Sequence, residues 1–338
     1  MHPAPLTRPP RRAPHDVREP RPPRRALHGV LLLDKPLGWS SNDALQKVKG
    51  MLRAEKAGHT GTLDPLASGL LPLCFGAATK FSQASLDADK TYRATLKLGV
   101  TRVGGDGEGK VLETRPVHFD EAALHAACAA LTGETLQLPP MHSALKHEGK
   151  ALYEYARAGV EIDRTPRRVT VHRLVILRWQ ADELDIEVTV SKGTYVRTLA
   201  EDLGAALGCG AHLSALRRTA SGPVSLDDAI TIDALQALEP GQREQRLLPP
   251  DVLLADWPAV PLAADEAARF LSGLRRRVET GDCTAVRVYG PADVFLGSAH
   301  VTAGELIPGR LLSPPEVQAL SQAASAAPST ESKQVSTT

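Results

Sequence analysis

The stretch Gly58–Pro72, GHTGTLDPLASGLLP, sets one carboxylate, Asp64, among glycines and threonines and ends in an apolar run. An aspartate so placed has two uses. As an N-cap followed by Pro65 at the favoured first helical position, it would start a helix over DPLASGLLPL. As an ionised side chain beside a cleft, it would be a nucleophile. Hydrolysis of a glycosidic bond ordinarily takes a second carboxylate at a fixed separation, and no second acidic motif stands out.

Three further side chains carry chemistry. His59 stands five residues before Asp64, Tyr92 lies in KTYR, and Arg197 lies in KGTYVRTLAEDLG. Taken singly, each has an ordinary structural reading: a solvated loop histidine, a half-buried strand tyrosine and a surface arginine. The four cysteines, Cys74, Cys128, Cys209 and Cys283, form no C-x-x-C and no cluster at zinc spacing. Reduced thiols and no metal site are expected.

The elements that must position these groups are legible in outline. GVLLLDK reads as a short buried strand. KPLGWSS reads as a turn with N-cap serines, after which Leu45, Val48 and Leu52 recur at helical spacing. KTYRATLKLGV alternates as a strand with Tyr92, Ala94, Leu96 and Leu98 on one face. VTRVGGDGEGK is a Gly-rich loop. Asp120 caps a helix over DEAALHAACAALTG that Gly133 ends. Residues 137–167 form a long irregular connection with one amphipathic piece. Two strands follow, then a helix from about Tyr195 to Leu207. Hairpins and helices without a regular βαβ repeat predict an α+β fold with a mixed, largely antiparallel sheet.

Length and composition set the boundaries. At 338 residues and 42% hydrophobic, the chain suits about two domains. A Pro- and charge-rich stretch, LEPGQREQRLLPPDVLLADWPAVP, reads as a linker. Short alternating strands over 252–313 suggest a small β-barrel-like module. The expected divisions are a disordered Pro/Arg-rich arm (1–27), a catalytic domain (28–247), a C-terminal module (248–313) and a disordered tail (314–338). The net charge of +1 is uneven: the arm carries +5 and the remainder −4. No apolar run approaches the roughly 20 residues of a membrane span, and the N-terminus has no apolar secretory core, so a cytoplasmic protein is expected. No coiled-coil heptads occur, and a monomer is expected.

Taken together and in order, LDKPLGWSS, GHTGTLDPLASGLLP, KTYR, LPPMHSALKHEGKALYEYAR and KGTYVRTLAEDLG closely resemble the TruB family of RNA pseudouridine synthases, from about Gly29 to Pro223. Within it, the likeness is to the bacterial branch that converts uridine 55 in the T-loop of tRNA. The resemblance implies a pseudouridine synthase catalytic domain, a PUA-like C-terminal RNA-binding module and an isomerase that needs no cofactor. It implies Asp64 as nucleophile, Arg197 as its partner and Tyr92 as the aromatic residue that stacks on the target base. An arginine partner favours the ionised carboxylate and fixes its direction. A target uridine must leave its stack to be reached, and His59 matches the family residue that inserts into the RNA. Lys35 and Pro36 match a motif supporting the catalytic loop. Lys146, Lys150 and Arg157 lie on the 137–167 insertion, which in the family clamps the tRNA T-arm stem-loop, and suit phosphate contacts.

One departure stands out. Val103 and Gly104 replace polar residues usual in the turn after the KTYR strand, with Asp106 kept, which suggests a looser loop. Two other functions fit parts of the pattern: a non-catalytic RNA-binding protein or tRNA chaperone of the same fold, and a glycoside or nucleoside hydrolase. Intact Asp64, Tyr92 and Arg197 count against the first, and the lone carboxylate against the second.

Overall fold

The structure, a computed structural model, describes residues 23–143 and 145–326. Its centre is a ten-stranded mixed sheet. In chain order the elements of this part are β1 (Gly29–Lys35), α1 (Ser41–Leu52), β2 (Ala57–His59), β3 (Ala67–Phe75), α2 (Ser82–Asp87), β4 (Lys90–Leu98), β5 (Val100–Arg102), β6 (Val111–Thr114), α3 (Glu121–Ala130), β7 (Gly133–Gln137), β8 (Lys146–His147), β9 (Lys150–Ala151), α4 (Leu152–Arg157), β10 (Arg167–Gln180), β11 (Glu183–Val190), α5 (Val196–Ala206), β12 (Ala211–Ser221), β13 (Val224–Ser225), β14 (Ile230–Thr231), α6 (Ile232–Ala237) and α7 (Pro240–Glu244). The sheet runs β14-β1-β3-β12-β4-β11-β10-β7, with β2 on β3 and β13 on β12. Only β1–β14 and β3–β12 pair in parallel.

The apolar run after Asp64 is the central strand β3, not a capped helix. All of β3 except Ser68 is buried, because it lies between β1 and β12 and is covered on both faces. A strand buried on both faces loses the alternation that would distinguish it from a helix. Gly69 adds a second reason. It has φ +99°, and a Cβ there would meet the Arg218 carbonyl oxygen at 2.3 Å. Only glycine lets the two backbones approach so closely.

The helices at the site have legible starts. Ser40 caps α1 by accepting from the Asp43 amide, and Asp120 caps α3 through the Ala123 amide. Leu45, Val48 and Leu52 bury the expected face of α1. One core lies under β4, β11 and β12 with α3 and α5. A second lies under β1 and β3 with α1 and α6. Tyr92 packs against both.

The remaining elements are β15 (Ala259–Pro261), α8 (Ala264–Leu271), β16 (Arg276–Arg277), β17 (Cys283–Tyr289), β18 (Phe295–Thr302), β19 (Glu305–Leu311) and α9 (Pro314–Ala326). They build a five-stranded sheet, β15-β17-β18-β19-β16, whose path does not close into a full barrel.

Three expectations at the boundaries are corrected. The stretch read as a linker is packed: Leu253 and Leu254 share a buried cluster with Val30, Leu32, Phe295 and Leu312. Its prolines and charges mark short 3₁₀ and α turns rather than a free connection. The tail expected to lack structure from residue 314 begins with α9, where Val317 and Leu320 pack on the same cluster and Glu316 pairs with Lys80. The end of the arm is also tied down. Arg25 bridges to Ala54 and pairs with Glu244, and the Arg53 guanidinium donates to the Pro23 carbonyl at 2.8 Å. Residues 1–22 and 327–338, the rest of the expected arm and tail, lie outside the described residues.

Candidate active site

Asp64 sits on the loop between β2 and β3, and that loop is fastened from several sides. The Ser41 hydroxyl, in the first turn of α1, accepts from the Leu63 amide at 2.8 Å and donates to the Leu63 carbonyl at 2.9 Å. The Gly38 amide donates to the Pro65 carbonyl at 2.7 Å, and the Thr60 amide to the Pro72 carbonyl at 3.1 Å. Ser85 donates to the hydroxyl of the fully buried Thr60. From β12, the buried Arg218 guanidinium reaches the Leu70 carbonyl with Nε (2.7 Å) and the Gly61 carbonyl with Nη2 (3.1 Å). Leu63 plugs the loop into the core while Asp64 itself stays 44% exposed.

Arg197 meets Asp64 there, with Nη2 3.0 Å from Oδ2. The arginine is almost fully buried although it lies in the first turn of α5, the end where the helix dipole disfavours a cation. Its other contacts explain how it is held. Nη2 donates to the His142 carbonyl at 2.6 Å, and Nη1 lies 3.4 Å from both Asp106 Oδ2 and the Gly104 carbonyl. The Val103–Gly109 turn is therefore a docked part of the site, correcting the expectation of a looser loop. Gly104 and Gly105 have φ +83° and +75°, and a Cβ on Gly109 would overlap the Val103 carbonyl oxygen. The glycines make a tight path that carries Asp106 to the guanidinium.

A pocket of about 430 Å³ gathers the candidates, with Asp64, Tyr92 and Arg197 all in its wall. Tyr92 stands on β4 opposite Arg218 of β12 and Val188 of β11. Ser143 and Leu145 bring the 137–167 insertion to the rim, and Tyr195 and Leu216 complete the lining. Burial pushes the Tyr195 phenol up from its ordinary value, so it is a neutral donor at neutral pH.

The other candidates lie outside this pocket. Lys35 is wholly buried, and its ammonium donates to the Pro36 and Trp39 carbonyls at 2.9 and 2.6 Å. It shapes the turn from which Gly38 and Ser41 reach the Asp64 loop. Burial pushes its pKa down to about 8 against the pull of the Asp64 charge. His59 ends β2, opposite Leu73, with a buried Nδ1 that has no partner among the described residues. Burial, then the Arg218 charge, lower its pKa, so the imidazole is neutral at neutral pH. Lys146, Lys150 and Arg157 are exposed on the insertion. Lys150 lies over the Tyr155 ring at 5.0 Å and Arg157 over the Tyr153 ring at 5.3 Å. Sequence reasoning missed Ser41, Gly38, Arg218 and Tyr195. Among the described residues no cluster of His, Cys, Asp and Glu could hold a metal, and no helix is long and apolar enough to cross a membrane.

Comparison with known proteins places this fold among the pseudouridine synthases. The N-terminal-domain model of the TruB family pseudouridylate synthases matches residues 49–196. Models of the tRNA pseudouridylate synthase B C-terminal domain and of the pseudouridine synthase II TruB C-terminal region match 197–255 and 258–312. The chain is 56% identical over 291 residues to tRNA pseudouridine synthase B of Burkholderia mallei (strain NCTC 10247), covering 84% of this chain and 96% of that one. It is 56% identical over 326 residues to the protein of the same name in Verminephrobacter eiseniae (strain EF01-2), covering 94% of each. A chain in the crystal structure of a Cbf5-Nop10-Gar1 complex superposes with a TM-score of 0.68 at 25% identity, over 86% of this chain and 87% of that one. The protein belongs to the TruB family of pseudouridylate synthases.

Proposed function

We propose that this protein converts uridine 55 in the T-loop of tRNA to pseudouridine, with Asp64 as nucleophile. The observation that carries the reading is the Asp64–Arg197 ion pair opening into a pocket that Tyr92 also lines. The names of its relatives supply the substrate class.

The reaction breaks the N1–C1′ bond, turns the base and joins C5 to C1′. No atom enters or leaves overall, so one carboxylate and well-placed partners suffice. The half-exposed Asp64 carboxylate faces the pocket while its loop is fixed. Entry at C6 of the ring or at C1′ of the ribose needs this same aimed anion. Arg197, locked by Asp106 and two backbone carbonyls, sets its direction. Tyr92 offers a ring face on which a flipped uracil stacks. The Tyr92 or Tyr195 hydroxyl is in the wall to help move the C5 proton.

Binding the RNA falls to the rim. The insertion over 137–167, with Lys146, Lys150 and Arg157 exposed, meets the phosphates of the T-arm. Neutral His59, at the mouth of the catalytic loop, makes its RNA contact by stacking or hydrogen bonding rather than by charge. Lys35 and Pro36 act only by supporting the loop.

Asp64→Asn tests the reading on a tRNA transcript. The amide keeps the shape and loses the nucleophile. Pseudouridine should drop to trace level while tRNA affinity stays within about twofold. Normal turnover by the variant would remove Asp64 from the mechanism. Release of free uracil by the native enzyme would mark a hydrolase, and binding without product a non-catalytic RNA-binding protein.

A further inference from the structure

The pocket wall holds two cations that the mechanism above does not use. Arg218 is 1% exposed and Lys90 is 7% exposed, and both line the pocket with Asp64 and Tyr92. Lys90 donates to the carbonyls of Ser85, Leu86 and Ala88, and Arg218 to those of Leu70 and Gly61. Neither forms an ion pair with a carboxylate among the described residues. The nearby acids are engaged elsewhere: Asp87 with Lys192 at 2.9 Å, Asp89 with His172 at 3.2 Å and Asp64 with Arg197. Buried charge without a counter-ion is costly to fold. A wall that keeps two such charges is complementary to negative charge in the pocket.

We propose, taking the uracil site described above as given, that Lys90 and Arg218 form a cationic floor that stabilises the uracil ring while it is detached from the ribose. When the N1–C1′ bond breaks, its electron pair goes to the ring and spreads over N1, O2 and O4. The later C5–C1′ bond takes a pair back from the ring. The C5 proton then leaves and N1 is reprotonated, so the product is neutral like the substrate. The negative charge exists only between the two bond changes. Fixed cations buried in the wall therefore favour that interval over the bound ground state, which is the condition for raising a rate rather than an affinity.

Lys90 makes the idea testable by pH. The groups facing it are Arg218 on β12, Asp87 at the end of α2, Asp89 just beyond it, and Lys192 beyond β11. Burial, followed by the Arg218 charge, pushes its pKa down to about 8. The test is the single-turnover rate at saturating tRNA transcript from pH 6.5 to 9.5. The native rate should fall above pH about 8, and in Lys90→Arg, which keeps the charge, the fall should disappear. Lys90→Met should be slower by roughly tenfold or more at pH 6.5, with a flat profile that the native rate approaches as Lys90 loses its charge, and with tRNA Kd within about twofold of native. A flat native profile overturns the proposal and needs no variant to fold. A fall that persists in Lys90→Arg also overturns it, because Lys35 titrates in the same range and is unchanged there. A loss of tRNA affinity with the saturated rate intact would assign the cations to an RNA phosphate instead. The two readings fail separately: an active Asp64→Asn removes the assigned reaction, whereas an inactive Asp64→Asn beside unaffected Lys90 variants removes only the floor.

Discussion

Arg197 carries the sharpest residue-scale prediction, because its two arms do different work. Arg197→Lys keeps a cation but cannot span Asp64, Asp106 and two carbonyls at once. Arg197→Met leaves Asp106 buried without its partner as well. The single-turnover rate should fall in the order native, Lys, Met, with the Lys variant down by at least about tenfold. Equal rates would return Arg197 to a structural role. Tyr92 is tested by splitting ring from hydroxyl. Tyr92→Phe should bind tRNA within about twofold of native, whereas Tyr92→Leu should lose stacking worth roughly 1–3 kcal/mol. Phe binding as weakly as Leu would contradict stacking. The motifs singled out Asp64, Tyr92 and Arg197, which the fold brings to one pocket, because each motif is a continuous stretch of chain. Arg218 and Ser41 were not legible. Their importance lies in reaching Gly61 and Leu63, which are distant in sequence; nothing local marks Arg218, and Ser41 reads only as an N-cap serine.

At the scale of elements, the amphipathic strands and capped helices were readable, and the failures have one origin. β3 looked like a helix because it is buried on both faces, and the Val103–Gly109 turn looked loose because its glycines serve a tertiary dock. Local pattern reports local geometry, and these two pieces are shaped by what lies against them. The turn held by Lys35 makes a stability prediction. Its folded pKa of about 8 lies below the ordinary 10.5. Between those values the unfolded chain holds the proton and the folded chain does not, so stability rises with pH across that window and the gain is absent below it. Urea midpoints for native protein and Lys35→Met at pH 7.5 and 9.5 would check this. The gap between them should move in favour of native protein at the higher pH. Lys90, shifted the same way, is present in both and cancels.

At the scale of the whole molecule, charge and assembly matter more than any one side chain. Residues 1–22 carry five arginines against Asp16 and Glu19 on a body that is otherwise slightly acidic. Deleting them should leave the saturated rate intact and flatten the log–log dependence of tRNA affinity on salt, by a little under one unit for each phosphate that the segment neutralises. An unchanged slope would mean that the segment does not touch RNA. The cut avoids Pro23 and Arg25, which are bonded into the fold. The two sheets were separable on paper, but the cluster from Val30 to Leu312 joins them, and no composition shift could have shown that. The parallel pairing of β3 with β12 has a consequence in time. Ala67 lies beside Leu216, and the guanidinium that fastens the Asp64 loop arrives with the same late strand. During synthesis Asp64 emerges some 150 residues before the strand that fastens it, so its loop stays unfastened until the chain past Ser221 is made. Pairings of such long sequence separation form slowly. Catalytic competence should therefore return last in refolding, in step with completion of the central sheet and behind the local hairpin β10–β11.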